Sequence, residues 1–152
     1  MNATQIIEFV VQVLLSRLPS GTLSRTTYAV CVVTTTDGTP VVIVSEAGAG
    51  ASGISGPLLE HISERLRLQT DANFAVMGCA APTPGQGQWH MNDAEIQIIN
   101  TLQQASSDGG ALANANVLAI GATRVFCESC TFRLRSIGLQ INEARTLATR
   151  PV

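Results

Sequence analysis

Two β-branched runs, Tyr28 to Thr35 and Pro40 to Ser45, are separated only by Thr36-Asp37-Gly38-Thr39. Asp-Gly between such runs is among the strongest short-range signals for an antiparallel hairpin, because glycine takes the positive φ that a tight turn needs. A sheet is therefore founded early in the chain, and the remaining segments must supply what covers it.

Helical segments recur on both sides of that hairpin. Thr4 is a candidate cap for a helix running to about Leu18, with Ile6, Ile7, Val10, Val13, Leu14 and Leu18 on one face, ended by Pro19-Ser20-Gly21. Ala47 to Gly56 reads as a Gly-rich flexible loop, and Pro57 then opens a helix with Leu58, Leu59, Ile62 and Leu66 as its apolar side. Phe74 to Cys79 reads as a short strand and Ala80 to Gly87 as a loop. Asn92 is a candidate cap for a helix from Asp93 to about Ala105, with Ala94, Ile98, Ile99 and Leu102 inward. Asn116 to Gly121 reads as a buried strand, Cys127 to about Ser136 as a helix and Ile137 to Ile141 as a last short strand. Strands alternating with helices predict an α/β layered fold, and with no repeat or long linker the chain reads as one domain over 1–152.

The composition excludes several alternatives. Hydrophobic residues make up 45% and charged residues 13% of the 152 residues, which rules out a disordered tail, a coiled coil or a collagen-like fibre. All nine basic residues are Arg, and nothing in the sequence explains the lack of Lys. A net charge of −2 is not that of a non-specific nucleic-acid coat, although a local Arg patch remains compatible with it. The longest apolar stretch, Ile6 to Leu15, is interrupted by Glu8 and Gln12. It is too short to cross a bilayer and has neither the basic start nor the cleavage site of a signal peptide, so the chain reads as soluble, with no export signal of its own and no membrane partner. Four Cys are too few for a disulfide scaffold; Cys31 and Cys79, in apolar or small-residue surroundings, read as buried thiols, and His61 as structural.

Cys127 and Cys130 are different, because they form a CxxC pair downstream of Asp93-Ala94-Glu95. Two thiolates from one helix start and a third ligand from a neighbouring helix start would leave an open fourth position on zinc. Water bound there becomes a nucleophile, and an uncoordinated Glu two residues after the ligand can move protons. Helix N-termini should favour the thiolates. Other readings of these residues stay open: CxxC as a redox pair, a structural zinc site closed by both Asp93 and His90, and Glu95 as an ordinary first-turn residue.

Asp93-Ala94-Glu95, the strand ending Ile120-Gly121-Ala122-Thr123, and Cys127-Glu128-Ser129-Cys130 together resemble the cytidine-deaminase-like superfamily of zinc enzymes. The resemblance spans roughly Thr4 to Ile141 but rests on four specific residues. It implies a three-layer α/β/α fold with a central mixed sheet of four to five strands, with a truncated sheet edge because so little chain follows Cys130. It implies zinc held by Asp93, Cys127 and Cys130, with Glu95 as the proton shuttle. This chain departs from the family in two places. Phe126 stands where the family usually has Pro, and Asp93 stands where it most often has His. An Asp ligand leaves the zinc site at −1 instead of neutral, which should weaken the Lewis acid and either slow the chemistry or call for compensation by a nearby donor. His90 is the alternative ligand; Asp93 is favoured because it occupies the position before Ala-Glu.

Ile120-Gly121-Ala122-Thr123-Arg124-Val125-Phe126-Cys127 is most similar to the branch of bacterial polymorphic toxins that deaminate nucleic acids. That resemblance implies hydrolytic deamination of cytosine, with DNA favoured over RNA as substrate. It also implies an immunity protein as a further partner, and action in the cytoplasm of a target cell after delivery as part of a secreted toxin. Arg124, Arg133 and Arg135 are candidates to meet phosphates, though they also fit ordinary solvated helix charges. His90 is a candidate for the substrate pocket, and Trp89 fits equally as a stacking surface for a base or as a pocket wall. A free-nucleoside deaminase and a non-catalytic zinc-stapled binding module are the alternatives.

Overall fold

The computed structural model describes residues 1–47, 54–79 and 93–151. Among the described residues, five helices and six strands follow the order α1 (Ala3–Arg17), α2 (Ser20–Arg25), β1 (Tyr28–Thr34), β2 (Pro40–Glu46), α3 (Gly56–Thr70), β3 (Ala75–Gly78), α4 (Ala94–Asp108), β4 (Asn116–Ala122), α5 (Glu128–Ser136), β5 (Gln140–Ile141) and β6 (Leu147–Thr149). The strands form one mixed sheet in the order β3-β2-β1-β4-β6-β5, in which only the β2–β3 pair is parallel. The α/β layered expectation holds, with one strand more than the four to five expected. The sheet is short on this edge, as expected: after α5 the chain turns back at once and adds only the β5–β6 hairpin, of two and three residues, beside β4.

The hairpin forms where Asp37-Gly38 placed it. Gly38 has φ +86, and the Asp37 carboxylate accepts from the Thr35 hydroxyl and, at 3.1 Å, from the Thr39 N–H. Alternation along β1 and β2 then divides the core. Val30, Val32, Val42 and Val44 face α1 and α3, whereas Ala29, Cys31, Val33, Val41 and Ile43 face α4 and α5. α1 lies close to β4 because residue 121 is Gly: a Cβ there would meet Ile7 Cγ2 at 2.3 Å.

Several boundaries differ from the sequence reading for local reasons. Asn2, not Thr4, caps α1, in a reciprocal capping box with Gln5. Pro19-Ser20-Gly21 ends α1 but also opens α2, as Pro19 has the extended backbone of an N-cap. Ile137 is the C-cap of α5 and Gly138 turns at φ +89, so strand pairing begins only at Gln140. The predicted loop 80–87 and most of the Gly-rich stretch 47–56 lie outside the described residues.

Candidate metal centre

The first turns of α4 and α5 meet on one side of the sheet. β4 delivers the chain to α5 through 123–127, and backbone bonds pin this passage at both ends. The Thr123 N–H donates to Tyr28 O (2.9 Å) and the Tyr28 N–H donates to Thr123 Oγ1 (3.0 Å). The Phe126 N–H donates to Arg145 O at 2.7 Å, a bond that Pro could not make, and its ring is buried in the core. Phe126 therefore anchors the start of α5 through both its backbone N–H and its buried ring.

Asp93 is the N-cap of α4, one residue later than the predicted cap, Asn92, which lies outside the described residues. Asp at this position ordinarily accepts from the exposed amides of the first turn. Here its side chain makes no capping bond. Its Oδ2 instead accepts from the thiols of Cys127 and Cys130, each at 3.4 Å. Cys127 is itself the N-cap of α5: its Sγ accepts from the Cys130 N–H at 3.3 Å and lies 3.2 Å from Cys130 Sγ. The Cys130 thiol also approaches Glu95 Oε2 at 3.3 Å, and Glu95 is only 3% exposed.

One ligand atom from each of Asp93, Cys127 and Cys130 lies within 4.8 Å of the others, so this partly buried cluster could hold a metal ion. The donor set fits zinc chemically. Two thiols and a carboxylate are a normal zinc set with one position left for solvent, and bonds of about 2.0–2.3 Å need donors roughly 3.5 Å apart, close to the spacing found. The charges agree with this. Three acidic groups and Glu95 converge, while the only ion pair among the described residues, Arg67–Glu64, lies on α3. A buried gathering of potential anions without a cation is what a bound metal would neutralise.

Without an ion, those neighbours govern protonation. Burial, then Glu95, Cys127 and Asp93, push the Cys130 thiol far above its ordinary range. The expected favouring of thiolates by the helix N-terminus is therefore outweighed at Cys130, where desolvation and adjacent acids act the other way. Burial likewise raises the Glu95 carboxyl, aided by Asp93 and opposed by its own backbone amide and by Cys130.

Of the other predicted site residues, Arg124 is exposed in the loop between β4 and α5, and Trp89 and His90 lie outside the described residues. A second layer behind Glu95 was not anticipated. The buried Ser45 hydroxyl donates to Gln97 Oε1 at 3.2 Å, and Gln97 Nε2 donates to Glu46 O at 3.0 Å, tying the first turn of α4 to β2. Its only signal in the sequence is a Gln set among Ile96, Ile98 and Ile99. None of the protein-family models, curated proteins or solved structures compared with the chain matches it.

Proposed function

We propose that this chain is a zinc-dependent hydrolytic deaminase acting on cytosine in nucleic acid, with DNA as the favoured polymer. The supporting observation is that the Asp93 carboxylate forgoes its capping bond and turns to Cys127 and Cys130, with the buried carboxyl of Glu95 3.3 Å from Cys130. Asp93, Cys127 and Cys130 would hold the ion. When bound, zinc makes a water at its open position easier to deprotonate.

Glu95 supplies the acid–base chemistry. Its Oε2 takes a proton from the water that bonds to the amine-bearing carbon and passes it to the ring nitrogen; it then carries the proton of the new hydroxyl to the amine, the carbon–nitrogen bond breaks, and ammonia leaves as uracil forms. Burial suits Glu95 to this work, since a carboxyl raised above its usual range is a stronger base towards water and holds the proton until the ring nitrogen or the amine accepts it. Ser45 and Gln97 position it by fixing the first turn of α4.

The test is a deamination assay of zinc-loaded protein and Glu95→Ala on single- and double-stranded oligonucleotides and on free cytidine, with metal content measured alongside. Uracil in DNA that disappears in Glu95→Ala while zinc is retained is the expected result. Turnover of free cytidine alone would assign the chain to nucleoside chemistry. Zinc binding with no product from any substrate, cytosine or adenine, would leave a zinc-stapled binding module.

A further inference from the structure

Beside the thiol cluster, α4 and α5 enclose an open groove of about 400 Å³ lined by Ile96, Glu128, Ser129, Phe132 and Arg133. Phe132 is 74% exposed, the most exposed of the large hydrophobic residues among those described. It follows Ser129 by three residues, so the two share a face of α5 and both line the groove. A ring so exposed contributes little to the core.

Arg133 reaches back to α4, where its Nη2 donates to Asn100 Oδ1 at 3.2 Å and to Gln103 Oε1 at 3.4 Å. Glu128 lines the same groove, yet neither it nor Arg133 belongs to an ion pair among the described residues. The guanidinium is held in place by neutral oxygens and keeps its charge for a ligand.

We propose that this groove binds an unpaired nucleotide of a single-stranded polynucleotide, next to the base that enters the thiol cluster. The inference rests on the deaminase reading for its place beside a target base, but its binding chemistry is its own. The Phe132 ring offers a stacking face, which a base presents only when unpaired. The Arg133 guanidinium meets a backbone phosphate, and Glu128 accepts from an exocyclic amine. A free nucleoside has no phosphate for Arg133 and no second base for Phe132, so the groove selects polymer over monomer.

The experiment uses zinc-loaded Glu95→Gln protein, so that turnover does not intervene, and a fluorescein-labelled single-stranded DNA nonamer with one central cytosine, read by anisotropy. Phe132→Ala should weaken binding about ten-fold, the loss of one base–aromatic stack. Phe132→Trp should restore it, and Arg133→Gln should lower the salt dependence by about one phosphate contact. Binding within two-fold of the parent in Phe132→Ala overturns the proposal, as does the absence of any oligonucleotide binding. A dimer in solution that Phe132→Ala dissolves would assign the patch to a second copy of the chain and also overturn it. Phe132-dependent binding without deamination by the unsubstituted protein would uphold the groove and overturn the enzyme; deamination indifferent to Phe132 would do the reverse.

Discussion

The two sides of the sheet are built on different principles. On the α1–α3 side the buried residues are aliphatic apart from Tyr28, whose hydroxyl donates to Glu46 at 3.1 Å. On the α4–α5 side the core is also largely apolar, yet Glu95 and Gln97 on α4, Thr131 on α5 and Ser45 facing Gln97 are buried within it. Burying such groups costs stability unless each finds a partner. Thr131 Oγ1 finds none among the described residues, and Glu95 finds only a thiol and its own backbone amide. The first side shows that this chain can cover its sheet with Ile, Val and Leu. Stability therefore does not account for the carboxyl on the second side, which is where the proposed proton shuttle places a chemical role.

The largest effect that bears on this contrast is on turnover. If Glu95 is the proton shuttle of the proposed deaminase, Glu95→Gln keeps the shape of the side chain but removes that function, so the deamination rate should fall about 10²- to 10⁴-fold while bound zinc and thermal stability hold. Equal loss of zinc and rate would make Glu95 a structural member of the cluster. On the opposite side, Leu14→Ala should cost about 2–5 kcal/mol in denaturant unfolding, because Leu14 is fully buried against β1 and β4, yet leave zinc stoichiometry unchanged. Loss of zinc in folded Leu14→Ala protein would show that the two sides do not act separately.

The two sides were also unequally legible. The inward residues of α1 and the hairpin followed from periodicity and from one Asp-Gly pair, since local pattern and burial agree there. Asp93, Glu95, Cys127 and Cys130 could be named because their order and spacing resemble a known family's, but their convergence depends on how α4 and α5 sit on the sheet. Ser45 and Gln97 were invisible, because a polar residue in an apolar run does not announce a partner 52 positions away. β6 was missed because three residues, Leu147–Thr149, carry too little pattern to be read as a strand. The raised pKa of Cys130 was missed because helix position is local, whereas the burial that chiefly outweighs it, and the neighbouring carboxyls of Glu95 and Asp93, come from packing against the start of α4.

A smaller effect tests the one polar contact at the rim of the apolar side. Burial, with Glu46 beside it, pushes the Tyr28 hydroxyl from its ordinary value of 10.0 up to about 12. The folded chain thus holds this proton more tightly than the unfolded chain. The resulting stability is fully present below pH 10 and is lost as the pH rises from 10 towards 12. Unfolding measured across that window should fall more steeply for the parent than for Tyr28→Phe, and taking the difference removes the alkaline titration of the thiols. Parallel curves would mean that Tyr28 titrates no differently in the folded protein.

The smallest effect separates two helix starts. Asn2 caps α1 through a reciprocal pair of 2.9 Å bonds with Gln5, so Asn2→Ala should cost about 1 kcal/mol whether or not metal is present. Asp93 is an equally good capping residue that makes no capping bond. In chelator-treated protein, Asp93→Ala should therefore cost less than Asn2→Ala. With zinc added the order should reverse, because the parent gains stability from the bound ion and the variant lacks one of its ligands. Urea unfolding of the three proteins, with and without chelator, gives both differences. If Asp93→Ala costs as much as Asn2→Ala in the stripped protein, the carboxylate serves the helix; if its cost appears only with zinc, the carboxylate serves the metal.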